Sequence, residues 1–473
     1  MFARLLSVVV IATGICAPTW PSKAAGPCPT SHLVLDDRLV AAADGLRLVL
    51  GTVEKDPHNP LIQADKPWEN ALNNLYPNVI YDDEAGLFKL WYKCVLADKD
   101  VIARMMPPST VHDVGWFLLY ATSADGVQWQ KPELGLIGFD GSTRNNIVAR
   151  DTPNVGVFKD LHDTDARRRY KMIYDVGSGQ MRVRFSADGL HWSEPVVPTG
   201  LGRAGDTHNN AFWDARSGKY VLLTRYFLGE RLVYRSESDD FLAWQTPAPA
   251  LRSTPEEGKA RQTYCMPAFA YGSGYVGLVM MYRAAGDRSV DCELAWSADS
   301  VRWRRVLPGV ALIPRGPKGS YDSKCIYAQA NPPLVQGGKL LIYYGGSAVE
   351  HRGWKRHCLP CLARLRLDGF AAYTPAEGRN QGTLTTRPVR CTRESLRVNV
   401  EAGPGLLRVA VVGVEGFGLD QCEPVTGDST AAVVRWNSGK DLSQLHGREV
   451  QLQFELDRAK LYSVSGVELT QAK

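Results

Sequence analysis

The sequence predicts an all-β protein, made of a five-bladed β-propeller followed by a small C-terminal β-sandwich. The first observation is the motif Ser-x-Asp-x-x-x-Trp, which occurs four times, with serines 63, 52 and 59 residues apart. That period is too long for a helical repeat unit and fits a four-stranded propeller blade. The second observation is the content of 44 glycines and 28 prolines in 473 residues, with almost no helical periodicity, which is typical of many strands joined by turns. The four motifs start at Ser123, Ser186, Ser238 and Ser297.

Each blade is predicted from an apolar strand, a turn that usually carries Asp or Gly, and a second apolar strand, which together indicate a hairpin. Five such hairpins begin at residues 78, 154, 210, 266 and 331. A third strand leads into the Ser-x-Asp turn and a fourth follows the Trp, except in the fifth copy, where residues 362–369 replace the motif. The blades cover residues 70–375, and residues 32–53 are predicted to add the outer strand that closes the ring.

The Ser-x-Asp-x-x-x-Trp motif itself is interpreted as structural. Ser and Asp side chains bond backbone N–H groups and so stabilise tight turns. The Trp that follows supplies a large apolar surface, which suits the space between neighbouring blades. These residues are therefore expected to hold the blades together and not to contact a ligand.

After residue 375 the pattern changes to alternating strands separated by Gly, Asp and Asn turns, at residues 396–400, 406–412, 432–436 and 450–456. This pattern favours a small β-sandwich packed against the ring. The predicted organisation is a signal peptide at residues 1–25, a five-bladed propeller at 26–377 and a sandwich at 378–473.

The signal peptide is predicted from Arg4, an apolar stretch at residues 5–17 that is too short to span a bilayer, and small residues near position 24. The mature protein is thus expected to be secreted or periplasmic. No later stretch approaches the ~18 consecutive apolar residues of a spanning helix, so no membrane partner is expected after signal removal. The net charge of +5 is small for this length, which gives no support to a nucleic-acid partner.

The chain has ten cysteines, and nine remain once Cys16 is removed with the predicted signal peptide. Cys391 and Cys422 are the first choice for a disulfide, while Cys358 and Cys361 favour a local disulfide or free thiols over a metal cluster, because their neighbours lack zinc-ligand spacing. No metal ligand set is assigned and no cofactor is required. The sequence leaves open whether a Ca²⁺ ion lies on the propeller axis, because backbone carbonyls and water can bind Ca²⁺ without a sequence motif.

Residues just before each first strand are expected to face the propeller axis, and three of them are carboxylates from different blades: Glu69, Asp206 and Asp322. Carboxylates that lie close together in a cavity with little water shift one another's pKa values apart. One can then donate a proton while another stays ionised. Glycoside hydrolysis needs such a pair. The sequence predicts Asp206 as general acid, Asp322 as base or nucleophile, and Glu69 as a third carboxylate that tunes the pair.

Other side chains expected near the axis are assigned to substrate binding. They are polar or aromatic, as sugar hydroxyls and apolar sugar faces require: His208, Asn74, Asn154, Tyr264, Trp68, Tyr321 and His351. Structural alternatives stay open for the carboxylates. Asp206 could cap a turn, Asp322 could pair with Lys324, and Glu69 could pair with Lys66.

Several segments carry a family resemblance: residues 67–69 (Pro-Trp-Glu), 76–82 (Tyr-Pro-Asn-Val-Ile-Tyr-Asp), 120–126, 205–206 (Gly-Asp) and 343–346 (Tyr-Tyr-Gly-Gly). With them the mature chain resembles the five-bladed propeller glycosidase superfamily of arabinanases, levansucrases and invertases, and within it exported bacterial glycosyl-hydrolase-like proteins. The resemblance implies hydrolysis of a glycosidic bond by acidic residues of the first three blades. The chain departs from the invertase-type pattern, because Tyr76 stands where those members carry their nucleophilic Asp.

The function predicted from these observations is that of a secreted glycoside hydrolase, which cleaves a poly- or oligosaccharide in the axial pocket. The alternative is a non-catalytic carbohydrate-binding propeller, which would keep the aromatic residues and lose the acid pair.

Overall fold

The structure, a computed structural model, describes residues 31–105, 114–177, 179–354 and 356–470. The regular secondary structure of these residues is almost all β-strand, as predicted, with one short helix, α1 (Lys99–Met105), and four single 3-10 turns. No helix in these ranges is long and apolar enough to cross a membrane. The predicted signal peptide, residues 1–25, lies outside the described residues. The 3-10 turns are Ala166–Arg168, Gly258–Ala260, Asn437–Gly439 and Leu442–Leu445.

Four short strands open the described chain. They are β1 (His32–Leu33), β2 (Val40–Asp44), β3 (Leu46–Leu50) and β4 (Glu54–Lys55). Only β4 pairs with a strand of the repeat region, and β1 to β3 pair with strands from the end of the chain.

Five successive antiparallel strand groups follow, here called group 1 to group 5. Groups 1 and 3 have four strands each, and group 2 has three. Group 1 is β5 (Asn78–Asp82), β6 (Leu87–Leu96), β7 (Gly115–Ser123) and β8 (Ile147–Arg150). Group 2 is β9 (Gly156–Lys159), β10 (Tyr170–Asp175) and β11 (Met181–Ser186). Group 3 is β12 (Asn210–Asp214), β13 (Lys219–Phe227), β14 (Arg231–Ser238) and β15 (Ala248–Leu251).

In groups 4 and 5 the first strand is split in two, and both pieces pair with the second strand. A single parallel bridge, Val290 to Cys325, joins these groups into one sheet of ten strands that also includes β4. Group 4 is β16 (Arg261–Cys265), β17 (Ala268–Tyr271), β18 (Gly274–Arg283), β19 (Val290–Ser297) and β20 (Arg304–Ile313). Group 5 is β21 (Cys325–Ala328), β22 (Leu334–Gln336), β23 (Lys339–Ser347) and β24 (Leu359–Arg366).

All five predicted hairpins form, since the first two strands of every group pair antiparallel. The alternation along these strands buries large side chains such as Trp91, Trp296 and Tyr343.

The four Ser-x-Asp turns have the structure that the motif predicts. In the first copy, the Ser123 hydroxyl donates to Asp125 Oδ1 at 2.9 Å and accepts from the Gly126 N–H, while Asp125 Oδ1 accepts from the N–H groups of Val127 and Gln128. The second and third copies repeat this arrangement. In the fourth copy, the Ser297 hydroxyl donates to Asp299 Oδ1 and accepts from the Asp299 N–H, and Asp299 Oδ1 accepts from the N–H groups of Val301 and Arg302. Burial acts to raise the pKa of Asp125, but the hydrogen bonds that Asp125 accepts from backbone N–H groups outweigh it and hold the pKa below its usual value.

Asp125→Ala is expected to lower the free energy of unfolding by about 1–2 kcal/mol, because two backbone N–H groups of a tight turn lose a charged acceptor. The loss should disappear in acid, as pH falls through the depressed pKa of Asp125, since the wild-type carboxyl is then protonated too. Urea denaturation at pH 7 and near pH 2 measures both effects. Asp83→Ala, at an exposed carboxylate in a hairpin turn, is the matched control, and an equal loss there would contradict this account.

The C-terminal strands form a nine-stranded sheet with the first strands of the chain and a separate sheet of three strands. The larger sheet has the order β2-β26-β31-β28-β32-β25-β3, with β1 added on β32 and β29 on β28; the smaller is β30-β27-β33. The strands are β25 (Ala371–Pro375), β26 (Gln381–Thr386), β27 (Val389–Cys391), β28 (Arg397–Val411), β29 (Val425–Val433), β30 (Glu449–Val450), β31 (Leu452–Asp457), β32 (Lys460–Ser465) and β33 (Val467–Leu469).

This pairing corrects the interpretation of residues 32–53 as the strand that closes the ring. The edge strand on β24 is β4, at Glu54–Lys55, whereas β1 to β3 belong to the C-terminal sheet. An alternating apolar pattern shows that a strand has one buried face, but it does not say which sheet receives it. The predicted division at residue 377 therefore separates strands that share a sheet.

The predicted disulfide between Cys391 and Cys422 does not form. All eight described cysteines are free and buried, including Cys358 and Cys361. Cys422 Sγ instead accepts a hydrogen bond from the Val409 N–H at 3.2 Å, and thus behaves as a small core side chain.

Candidate functional site

A cavity of about 560 Å³ lies where the five strand groups meet. Every group contributes to its wall, so residues distant in sequence become neighbours there. The lining includes Asn74, Lys93 and Trp116 from group 1, Asn154 and Asp175 from group 2, Asp206, Arg225 and Arg231 from group 3, Tyr264 from group 4, and His351, Arg352, Trp354 and Arg356 from group 5.

The second strands of groups 1 to 3 place three charged side chains at equivalent positions of the cavity. In the first hairpins, Trp91 pairs with Asn78, Ile173 with Gly156, and Leu223 with Asn210. Two residues beyond each paired position stand Lys93, Asp175 and Arg225. Alternation points side chains two residues apart to the same face, and the repeated register brings all three to the same end of the groups.

The segments before the first strands supply the second set of lining residues. Asn74, Asn154 and Asp206 each have a positive φ, of 45°, 53° and 53°. Asn and Asp adopt this left-handed conformation more readily than other residues with a side chain, yet it still costs energy. Three such residues around one cavity indicate that the backbone is held there to direct their side chains.

Asp175 is a buried carboxylate, 3% exposed, at the cavity wall. Its Oδ2 accepts from Asn154 Nδ2 at 3.0 Å and from the Asp206 N–H at 2.8 Å, and its Oδ1 accepts from the Gly177 N–H at 3.1 Å. Burial raises the pKa of Asp175, and the negative charge of Asp206 adds to the rise, against the lowering effect of these hydrogen bonds. The Asp175 carboxyl group therefore binds a proton more readily than an exposed aspartate does.

Asp206 has the opposite environment. Its side chain is 82% exposed and forms an ion pair with Arg225, which is buried. Arg225 also lies over the Tyr264 ring, 4.7 Å from its centroid. Gly205 allows the close approach to Asp175, because it has a φ of 118° and a Cβ there would lie 2.7 Å from Asp175 Cβ. Asp175 and Asp206 thus form a neighbouring pair of one buried and one solvated carboxyl group.

Asn154 links this pair to a cation. The Lys93 ammonium donates to Asn154 Oδ1 at 3.0 Å, while Asn154 Nδ2 donates to Asp175. Burial lowers the pKa of Lys93 to about 8, although the charge of Asp175 opposes the shift. The amide of Asn154 is therefore fixed in one orientation, with its oxygen towards the lysine.

The opposite wall is built around His351. Arg356 Nη2 donates to His351 Nδ1 at 3.1 Å, and the Tyr327 hydroxyl lies 2.7 Å from the same nitrogen. Burial lowers the pKa of His351 to about 2, and the charge of Arg356 adds to it. A guanidinium group can only donate, so Nδ1 is the acceptor and the ring proton sits on Nε2. His351 is thus a neutral hydrogen-bonding group in the cavity.

Five of the ten predicted site residues line this cavity: Asp206, Asn74, Asn154, Tyr264 and His351. His208 lies in the adjacent core, stacked on Tyr76 with ring centroids 4.9 Å apart, and does not line the cavity. Burial lowers the pKa of His208 to about 3, and nearby Lys93 adds to the shift. His208 is therefore a neutral core residue in this structure.

Glu69 and Trp68 lie within group 1, outside the cavity. The Glu69 side chain is fully buried, ion-paired with Lys131 at 2.6 Å, and accepts from the Tyr92 hydroxyl at 2.7 Å. Lys66, the partner considered from the sequence, contributes its backbone N–H instead of its ammonium group. Trp68 Nε1 donates to Asn146 Oδ1 at 2.8 Å. Both side chains have the contacts of structural residues.

Asp322 and Tyr321 also lie outside the cavity, at the edge of group 5. The Asp322 carboxylate is 1% exposed, ion-paired with Lys55 at 2.5 Å, and accepts from the Tyr344 hydroxyl at 2.9 Å. The cation is thus Lys55 of β4, and not Lys324. Tyr321 shares hydrogen bonds with Asn59 and Tyr344. The structure therefore does not bring Asp322 and Glu69 together with Asp206.

Sequence reasoning missed Asp175, Lys93, Arg225, Arg231 and Arg356. A signal for three of them was present, since Lys93, Asp175 and Arg225 are charged residues near the ends of otherwise apolar second strands. A charge in such a strand needs a partner or a solvent-filled cavity. Because the second strand runs antiparallel to the first, its end lies level with the segment that precedes the first strand.

In the described part of the chain, no group of three or more His, Cys, Asp or Glu side chains is placed to hold a metal ion. The cavity offers a mixed set of one imidazole, two carboxyl groups, amides and guanidinium groups, which suits hydrogen bonding to a polar organic ligand.

No family model and no curated protein matches the sequence. Among solved structures, the chain is similar to an N-acetylgalactosamine deacetylase from F. plautii, with 15% identity, 74% of this chain and 96% of that chain covered, and a TM-score of 0.39. It is also similar to a β-1,2-mannobiose phosphorylase from Listeria innocua, with 13% identity, 67% and 97% covered, and a TM-score of 0.44. A third is an α-L-arabinofuranosidase from Podospora anserina, with 13% identity, 67% and 96% covered, and a TM-score of 0.43.

These neighbours are enzymes that act on carbohydrates, the broad class that the sequence motifs resemble. At this level of similarity they carry no weight for the reaction or the substrate of this chain.

Proposed function

We propose that this protein is an exported glycoside hydrolase, which cleaves a glycosidic bond of a poly- or oligosaccharide in the cavity where the five strand groups meet. The groups would be the blades of a five-bladed propeller, with the cavity on its axis and the C-terminal strands as a β-sandwich beside it. The observation that carries the proposal is the Asp175–Asp206 pair: the backbone N–H of Asp206 donates to the Asp175 carboxyl group, and the two carboxyl groups have opposite environments, one buried and one exposed.

We assign the general acid to Asp175 and the base or nucleophile to Asp206. A raised pKa favours the protonated form of the Asp175 carboxyl group, the form that donates a proton to the leaving glycosidic oxygen. The exposed Asp206 carboxylate is ion-paired with Arg225 and is placed to activate water or attack the sugar. This reverses the role predicted for Asp206 and replaces Asp322, which is engaged by Lys55, with Asp175.

The other lining residues would bind the sugar. Trp116 and Trp354 meet edge to face, with ring centroids 5.6 Å apart, and can pack against an apolar sugar face. Asn74, Asn154 and His351 offer amide and imidazole groups to sugar hydroxyls.

A second candidate function is carbohydrate binding without catalysis. The observation in its favour is that the two Asp175 oxygens already accept three hydrogen bonds, so Asp175 also fits the role of a structural cap for the Asp206 segment. In that case the cavity would hold a sugar and leave its bonds intact.

Assays of the mature wild-type protein on a panel of plant, algal and microbial polysaccharides separate the two functions. Hydrolysis predicts release of new reducing ends from at least one polysaccharide. Binding of a panel member, seen as a retained complex without any sugar release, would favour the second function and contradict the first.

A further inference from the structure

The side chains that line the cavity include more cationic groups than carboxyl groups, and the proposed hydrolysis gives most of these cations no role. Five cationic side chains line it, against the two carboxyl groups of Asp175 and Asp206: Lys93, Arg225, Arg231, Arg352 and Arg356. Arg225 is paired with Asp206. Within the described ranges, no carboxylate lies within ion-pair distance of Lys93, Arg231 or Arg356. The cavity is therefore a site of net positive charge.

Arg231 and Arg356 are held in place without being fully satisfied. Arg231 Nη1 donates to Gln262 Oε1 at 2.9 Å, and its guanidinium lies 5.6 Å from the centroid of the Tyr264 ring and 5.2 Å from that of Tyr282. Its Nε is buried and has no acceptor.

Arg356 is better satisfied: only its Nε is buried without an acceptor. Its Nη1 donates to the Gly353 carbonyl, and its Nη2 lies within hydrogen-bond distance of Asn73 Oδ1, Asn74 Oδ1 and His351 Nδ1. Both Nε atoms are enclosed by protein, so a ligand in the cavity would approach the terminal Nη groups of the two side chains and not these atoms.

The two guanidinium groups flank one small cluster of rings. His351 accepts from Arg356 and packs on Tyr264 and Tyr282, at centroid distances of 4.6 and 4.8 Å, and Arg231 lies over the same two tyrosines. Arginine presents planar pairs of N–H donors that match a carboxylate or sulfate group, and its fixed position reduces the entropy lost on binding.

We propose that Arg231 and Arg356 bind an oxyanion carried by the sugar, a uronate carboxylate or a sulfate ester, so that the substrate is an acidic glycan. This inference rests on the proposed function, because it names the substrate class of the same cavity. A neutral glycan would leave the positive charges of Arg231 and Arg356 without an anionic partner, whereas an acidic sugar neutralises part of the net charge. The anionic group would lie beside His351, whose Nε2–H adds a third donor.

Calorimetric binding at equilibrium tests the proposal with five monosaccharide probes: D-galacturonate, D-glucuronate, galactose 6-sulfate, and neutral D-galactose and D-glucose. The wild-type protein is expected to bind at least one acidic probe about tenfold or more tightly than its neutral counterpart, as expected for a charge-assisted hydrogen bond. Preferential binding of a uronate would identify the oxyanion as a carboxylate, and preferential binding of galactose 6-sulfate would identify it as a sulfate ester.

Arg231→Gln is the informative variant, because glutamine can keep a hydrogen bond to Gln262 while the positive charge is lost. The preference for the acidic probe should fall about tenfold or more. The matched control is Arg235→Gln on the same strand β14, where Arg235 is ion-paired with Glu237 and does not line the cavity. This control should keep the wild-type preference.

Equal binding of acidic and neutral probes, no binding of any acidic probe, or an unchanged preference in Arg231→Gln would each overturn the proposal. Inorganic sulfate that binds as tightly as galactose 6-sulfate would also overturn it, because the site would then recognise an anion without a sugar. Sugar release is measured separately. Acidic preference without hydrolysis would contradict the proposed function alone, and hydrolysis of neutral glycans without acidic preference would contradict this inference alone.

Discussion

Asp175→Asn and Asp206→Asn are each expected to lower the turnover of the hydrolysed glycan by about 10²–10⁴-fold, as the loss of a positioned acid or base does. An amide in place of the Asp175 carboxyl group cannot donate an acidic proton to the leaving oxygen. An amide in place of the Asp206 carboxylate has no negative charge with which to activate water or attack the sugar. Initial rates of reducing-sugar release, at saturating substrate, measure the effect. Because asparagine is nearly isosteric with aspartate, substrate binding should change much less than turnover.

The pH profile distinguishes a proton donor from a structural cap at Asp175. Activity of the wild-type enzyme should decline as pH rises through the raised pKa of Asp175, because the acid then loses its proton. Asp175→Asn should lack this decline in whatever activity remains. If the variant has wild-type turnover, or loses turnover while keeping the wild-type alkaline decline, then Asp175 is not the acid.

Asp322→Asn is expected to lower the free energy of unfolding by about 3–5 kcal/mol while leaving turnover per folded molecule unchanged, because removing one partner leaves the other charge of a buried ion pair uncompensated. The charge left behind is the ammonium of Lys55, whose side chain is 21% exposed. The Tyr344 hydroxyl also loses its charged acceptor. Chemical denaturation at pH 7 measures the loss.

Two further variants make this experiment specific. Asp239→Asn breaks an exposed ion pair with Lys219 and should cost under about 1 kcal/mol. Adding Lys55→Met to Asp322→Asn removes the uncompensated charge and should restore part of the lost stability. If Asp322→Asn instead keeps full stability and abolishes turnover, Asp322 is a catalytic residue, as the sequence alone predicted.

Local features of the fold were predictable because the interactions that form them join residues close together in the sequence. The Ser123-x-Asp125 turn is closed by side-chain bonds to backbone groups two and three residues away, so the motif alone specifies it. The hairpins follow from apolar alternation interrupted by turn residues. Long-range pairing was less predictable, and residues 32–53 were therefore assigned to the ring when β1 to β3 belong to the C-terminal sheet.

The site was predictable where the position of a residue in its strand group decides the direction of its side chain. Asn74, Asn154 and Asp206 lie two to four residues before first strands, and all three reach the cavity. Asp322 also lies close before a first strand, but its environment is decided by Lys55, which is 267 residues away in the sequence. The spacing of residues in the sequence cannot show that a distant cation forms an ion pair with a carboxylate.

The most direct test is a crystal structure of the Asp206→Asn variant soaked with an oligosaccharide that the wild-type protein hydrolyses. The account predicts sugar in the cavity at the meeting point of the five strand groups. The glycosidic oxygen should lie within hydrogen-bond distance of the Asp175 carboxyl group, and the anomeric carbon should face the amide that replaces the Asp206 carboxylate. Sugar bound beside Asp322 and Tyr321, with the central cavity empty, would contradict it.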